Sequence, residues 1–144
     1  MDAALAGEKP VVVQFFFTTC TTICGVRSAQ ILAASRELRK RGLDVGFYTI
    51  SIDPHHDTPK VLLAYSRHFG VVPPPNWHLL TGTVAEVKRI QAALDASDPS
   101  ADKMMHKPLT FIHAGKGLAW QRINGLTSTR SLVGMIETAV AAAR

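Results

Sequence analysis

The stretch Val11-Val-Val-Gln-Phe-Phe-Phe-Thr-Thr-Cys-Thr-Thr-Ile-Cys-Gly25 decides how this chain is read. Its first seven residues are β-branched or aromatic apart from Gln14, the pattern of a strand buried on both faces, as in a parallel sheet. Thr18 to Gly25 is a polar turn that carries both cysteines of the chain. Residues 26–41 follow as a helix, with Ala29, Ile31, Leu32, Ser35 and Leu38 as its inner face and Gly42 as its stop. Cys20 and Cys24 therefore stand between the carboxyl end of a strand and the start of a helix, where open α/β sheets place their ligands.

Working outward, residues 45–52 read as a second strand that ends at the breaker Asp53-Pro54. Thr58-Pro59 opens a second helix, with an N-cap and a proline in its first turn; Val61, Leu62, Tyr65 and Phe69 line one face. Gly70 closes it and Pro73-Pro74-Pro75 is a stiff connector. Residues 77–80 form a short strand, and Thr83-Val-Ala-Glu86 is a capping box that opens a third helix with the stripe Val84, Val87, Ile90 and Leu94. After a polar loop over 96–103, residues 109–113 and 118–123 form two strands around the turn Ala114-Gly-Lys-Gly117. Thr127 or Ser128 caps a last helix with Leu132, Met135, Ile136 and Val140 inside. Strand–helix alternation calls for right-handed crossovers and a parallel core. The expected fold is α/β and thioredoxin-like: a central mixed sheet with helices on both faces and a C-terminal β-hairpin plus helix. The whole chain, 1–144, reads as one such domain, with 1–9 as a flexible N-terminal remnant.

The composition agrees. In 144 residues, 47% hydrophobic and 19% charged exclude a disordered or collagen-like chain. No apolar run approaches the roughly 20 residues of a membrane span. The first nine residues hold two acids and no apolar core, which argues against a leader peptide and predicts a cytosolic chain or a trimmed soluble part of a longer one. The net charge of +5 is spread along the chain. Its densest cluster, Arg36, Arg39, Lys40 and Arg41, falls at a helix C-terminus, where positive charge is favoured, so no nucleic-acid partner is expected.

Two cysteines make no disulfide framework. At i, i+4 they lie on one side of a single turn, with Cα atoms about 6 Å apart, inside the range a disulfide tolerates. The same spacing chelates one soft metal ion. The N-terminal end of a helix offers unpaired N–H groups and positive potential, both of which favour thiolate, the form that binds metal and exchanges disulfides. Free cysteine is also among the most buried residue types, but a strand end flanked by Thr18, Thr19, Thr21 and Thr22 is a poor place for core filling.

Two thiolates leave a metal open to a third ligand. Among the six histidines, His68 suits a helix-end cation, His55 and His56 a polar turn, and His78 and His113 packing within strands. His106 differs, because it stands in Lys103-Met-Met-His-Lys-Pro108, just before a strand that enters the sheet. In a thioredoxin-like topology that loop lies against the cysteine turn. Met104 and Met105 are more often core residues than ligands. Two thiolates with one imidazole suit copper, and zinc less exclusively.

Phe16-Phe-Thr-Thr-Cys-Thr-Thr-Ile-Cys24 resembles the cysteine motif of the SCO/SenC proteins. Ser51-Ile-Asp-Pro-His-His-Asp-Thr-Pro59 resembles that family's S-x-D-P-x-x-D-T-P segment, and Asn76-Trp-His-Leu-Leu-Thr-Gly82 its W-x-x-L-T-G. His106 stands before the strand-turn glycine Gly117 as the family's ligand histidine does. The resemblance runs from Pro10 onward. It implies a thioredoxin-fold metallochaperone that delivers copper, as Cu(I) or Cu(II), for cytochrome c oxidase assembly. Cys20, Cys24 and His106 would be the metal ligands, and Cys20 and Cys24 a redox pair. Asp53 and Asp57 match acidic positions of the motif and read mainly as turn and cap residues, with support of the metal ligands as a secondary role. The implied partners are a copper acceptor, a cytochrome c oxidase subunit, and a thiol reductant. The implied location is the periplasmic or equivalent oxidising side of a membrane, with a tether that this chain does not show. Thr21 and Gly25 stand where the family has proline, and Met105 where it has aspartate. With Lys107 beside the histidine, these departures make the site less negative.

The main competing reading is a thiol–disulfide oxidoreductase that reduces cysteines of a partner protein through the same pair. A thiol peroxidase fits less well, because Phe17 stands where the T-x-x-C motif of peroxiredoxins needs proline. A copper store or sensor that transfers nothing is a third reading, separated from the first by copper exchange with an acceptor.

Overall fold

The computed structural model describes residues 9–18, 24–67, 77–94, 109–115, 120–124 and 128–142. The order of elements is β1 (Val11–Phe16), α1 (Cys24–Lys40), β2 (Gly46–Ser51), α2 (Pro59–Arg67), β3 (Trp77–Leu80), α3 (Val84–Ala93), β4 (Leu109–His113), β5 (Gln121–Asn124) and α4 (Thr129–Ala142). Five strands form one sheet in the order β3-β2-β1-β4-β5. β1 pairs in parallel with β2 from Val11↔Gly46 to Phe16↔Ser51, and β2 in parallel with β3. β4 runs antiparallel to β1, with Gln14 opposite Thr110, and β5 antiparallel to β4.

The alternation of β1 divides the core between two faces. On one face Val12, Phe47, Trp77 and Ile112 pack with Ile31, Leu32 and Leu38 of α1 and Leu132, Val133 and Ile136 of α4. On the other, Val13, Phe15, Ile50, Leu109 and Phe111 pack with Ile90 of α3. α2 joins the first face through Leu62 and Tyr65, against Phe16 and Leu79. All six residues of β1 are buried, as a central strand covered on both sides requires. Its one polar member is satisfied: Gln14 Nε2 donates to Thr49 Oγ1 at 3.2 Å, and Trp77 Nε1 donates to the same oxygen at 2.9 Å. This mixed sheet with helices on both faces is the expected α/β, thioredoxin-like arrangement.

The helix signals act as read, with differences in detail. Thr83 and Glu86 form the complete capping box of α3. Thr58 Oγ1 accepts from the Val61 N–H at 3.3 Å to cap α2. Of the two proposed caps for α4, Ser128 is seen in that role, its Oγ accepting from the Ser131 N–H at 3.1 Å. Gly42, at φ 74°, ends α1 in a left-handed turn, with Leu43 N–H donating to the Leu38 carbonyl and Gly42 N–H to that of Arg39. α1 starts at Cys24, two residues before the start read from the sequence. Ala29 is exposed, and Ser28 and Ala34 are buried instead, because the inner stripe runs through 28, 31, 35 and 38. β2 is one residue shorter at each end than expected, and β5 is seen over 121–124, with 116–119 outside the described residues. In the basic cluster, Arg41 pairs with Glu37 at 3.0 Å and with Glu137 of α4. The hydrogen bond to Glu137, then that to Glu37, raises the pKa of its guanidinium above the ordinary value. Among the described residues no helix is long and apolar enough to cross a membrane.

Candidate metal centre

β1 delivers the cysteine turn to the carboxyl edge of the sheet. The ladder with β2 stays intact to its end, where Ile52 N–H donates to the Phe16 carbonyl at 2.8 Å. Phe17 is buried, and Thr18 starts the turn. Cys24 is the first residue of α1. Cys20 and His106 lie outside the described residues.

The topology fixes where the described chain enters β4. Because Thr110 is opposite Gln14 in an antiparallel pair, the chain enters β4 at the edge from which β1 leaves. The approach to Leu109, three residues after His106, and the departure from Thr18, two residues before Cys20, thus share one edge of two adjacent strands. The other described histidines stand elsewhere. His113 is buried opposite Val11, at the far end of β1, and stacks on Trp120 with centroids 4.7 Å apart. His78 is exposed in β3 and stacks on Tyr48 at 5.0 Å. His55 and His56 are exposed in the turn after β2, as read; His68 lies outside the described residues. Among the described residues no three or more His, Cys, Asp or Glu side chains are grouped to hold a metal ion.

The acidic segment behaves differently from its reading as turn and cap residues. Asp53 does make the turn: its carbonyl accepts from the N–H groups of His56, at 3.1 Å, and Asp57, at 2.9 Å. Asp57, however, does not cap α2, which is the work of Thr58. Its carboxylate is fully buried. Oδ2 accepts from the Thr18 N–H at 3.1 Å and from the Ser51 hydroxyl at 2.7 Å, and Oδ1 accepts from the Thr18 hydroxyl. Ser51 Oγ in turn accepts from the Asp53 N–H at 3.0 Å. The start of the cysteine turn, the end of β2 and the β2–α2 loop are thereby tied at one carboxylate. Ser51 and Asp57 stand in the one segment that resembles the S-x-D-P-x-x-D-T-P motif, but nothing local shows that their partner is Thr18.

Comparison with known proteins places the chain. The SCO1/SenC family model matches residues 1–141. The SCO1 protein homolog of Bacillus subtilis (strain 168) is 26% identical over 120 residues, covering 80% of this chain and 62% of that protein; the chain spans about half to three fifths of the curated relatives it matches. Three solved structures superpose well. A SCO1/SenC family lipoprotein from Bacillus anthracis str. Ames has TM-score 0.78 at 23% identity, covering 95% of this chain and 84% of that one. BsSco, described by its disulfide switch and as a member of the Sco family of cytochrome c oxidase assembly proteins, has TM-score 0.75 at 21% identity, covering 95% and 83%. Yeast Sco1 with copper bound has TM-score 0.76 at 21% identity, covering 95% and 81%. With the family's model matching nearly its whole length, this chain belongs to the SCO1/SenC family.

Proposed function

We propose that this chain is a copper metallochaperone: it binds one copper ion as cargo through Cys20, Cys24 and His106 and delivers it to a cytochrome c oxidase subunit during assembly. The observation that carries the reading is topological. In this SCO1/SenC chain β1 ends and β4 begins at one edge of adjacent strands, with Thr18 two residues before Cys20 and Leu109 three residues after His106. The donor set fits the ion. Two thiolates are soft ligands suited to Cu(I), and an imidazole completes a three-coordinate site that a further acceptor ligand can open. The copper-bound yeast Sco1, of the same fold, supports copper as the cargo.

Cys20 and Cys24 also act as a redox pair, a reading supported by the disulfide switch of BsSco. When a partner disulfide is reduced, one thiolate attacks it and the first partner thiol leaves. The second thiolate then resolves the mixed disulfide, releasing the other partner thiol and leaving a Cys20–Cys24 disulfide. A thiol reductant restores the dithiol. The working location is the oxidising side of a membrane, beside a membrane tether, in keeping with the lipoprotein among its structural relatives.

The test is titration of the reduced protein with Cu(I) against a chromophoric chelator. One equivalent is withdrawn per chain. Cys20→Ser and Cys24→Ser lose binding, and His106→Ala weakens it to a smaller degree. Failure of the parent protein to compete for Cu(I) sinks the reading. Unchanged affinity in His106→Ala removes that residue from the site.

A further inference from the structure

We infer that Asp57 is a positioning residue of the cysteine pair: it clamps the start of the Cys20–Cys24 turn to the β2–α2 loop and so sets how closely the two sulfurs are held, without touching the metal. The inference rests on the proposed role of the pair. The carboxylate of Asp57 is fully buried, and no Lys or Arg pairs with it among the described residues. A buried carboxylate with no cation beside it is costly unless it is well hydrogen-bonded. Three donors meet it, and two come from Thr18, through its backbone N–H and its hydroxyl. Thr18 is the last described residue before the turn and stands two positions before Cys20. The far end of the turn is fixed independently, because Cys24 is already the first residue of α1. The residues that flank the turn are thus a helix start and Thr18, which is bound to a carboxylate 39 residues further along the chain.

Both uses of the pair need two sulfurs held close together. Copper chelation needs them on one ion, and disulfide closure needs them within bonding distance. A slack anchor raises the entropy lost in either event, so both weaken together. Side-chain shape sets which replacements serve. Asparagine keeps an oxygen at Oδ2 for the Thr18 N–H and the Ser51 hydroxyl, and its amide meets the Thr18 hydroxyl, which can turn to accept. Alanine keeps neither contact.

Two measurements on purified reduced protein test this: Cu(I) affinity by chelator competition, and the equilibrium in which the dithiol and glutathione disulfide give the Cys20–Cys24 disulfide and two molecules of glutathione. Asp57→Ala and Thr18→Val are expected to weaken Cu(I) binding by about ten- to a hundredfold, the range seen when groups supporting metal ligands are removed, and to lower the disulfide equilibrium constant in parallel. Asp57→Asn retains most of both. Ile136→Ala, in the core of α4, serves as a control that loses stability away from the site and leaves both quantities at the parent's values. If Asp57→Ala does not fold, Thr18→Val and Asp57→Asn carry the comparison. Parent-like affinity and parent-like equilibrium in Thr18→Val, or equal losses in Ile136→Ala, overturn the clamp. Absence of Cu(I) binding in the parent instead overturns the copper reading, and the disulfide equilibrium then judges the clamp alone.

Discussion

The hydroxyls of Ser28 and Tyr65 meet at 2.9 Å and join α1, one turn after Cys24, to α2. The ring of Tyr65 also packs against Phe16 at the end of β1, with centroids 5.2 Å apart. The first helix is thus docked on the second by a hydrogen bond set beside an apolar contact, close to the carboxyl edge of the sheet.

Tyr65→Phe keeps the ring and removes the hydroxyl. It should lower stability by about 1 kcal/mol, the usual net worth of such a bond. Ser28→Ala should cost a similar amount, and the double variant less than the sum, because the two changes remove one interaction. Urea unfolding of the four proteins measures this; strict additivity would show that the two hydroxyls do not act together.

Thr49→Val is close to isosteric yet takes away the oxygen that accepts from Gln14 and Trp77 across three strands. Leaving buried donors without that acceptor should cost about 2 kcal/mol or more, a larger loss than that of Tyr65→Phe. The Trp77 fluorescence should change in the folded state. A neutral Thr49→Val would mean that the donors find other acceptors at no cost.

Much of this fold was legible because its signals are local. The unbroken apolar run of β1, the box of Thr83 and Glu86, the Thr58-Pro59 start and the Gly42 stop each dictate a conformation from neighbouring residues alone. The errors at Ala29 and at the ends of β2 are phase and boundary errors, since a helical stripe can be drawn one residue off when Ser28 and Ala34 are small and Ala29 is apolar. The candidate site is a reading of residue types and spacing, with Cys20 and His106 outside the described residues. Its support was not legible, because the bonds from Thr18 to Asp57 and from Ser28 to Tyr65 join positions 39 and 37 apart, which only the parallel pairing of β1 with β2 and the packing of α2 bring together.

Oxidation should close a Cys20–Cys24 disulfide and block copper loading, since a bridged sulfur has no thiolate to offer. Mass spectrometry of the air-oxidised protein should show the loss of two hydrogens, with no Cu(I) taken up until a reductant is added. Equal Cu(I) uptake by the bridged protein would contradict the ligand set.

Met105→Asp should strengthen Cu(II) binding more than Cu(I) binding. Cu(I) is satisfied mainly by two thiolates, whereas Cu(II) gains more from imidazole and nearby negative charge, and Lys107 now adds a positive one. The effect should be a shift on the order of 1 kcal/mol, as for a partly exposed neighbouring charge. Titration with both ions measures it. Equal strengthening of the two, or of neither, would show that charge beside His106 does not tune this site.

The most direct measurement is X-ray absorption at the copper edge of the reduced, Cu(I)-loaded protein, compared with the same spectrum of His106→Ala. The account predicts two sulfur ligands and one imidazole nitrogen in the parent, and the loss of that nitrogen alone in the variant. A sulfur-only shell in the parent, or an imidazole signal that survives in His106→Ala, would contradict it.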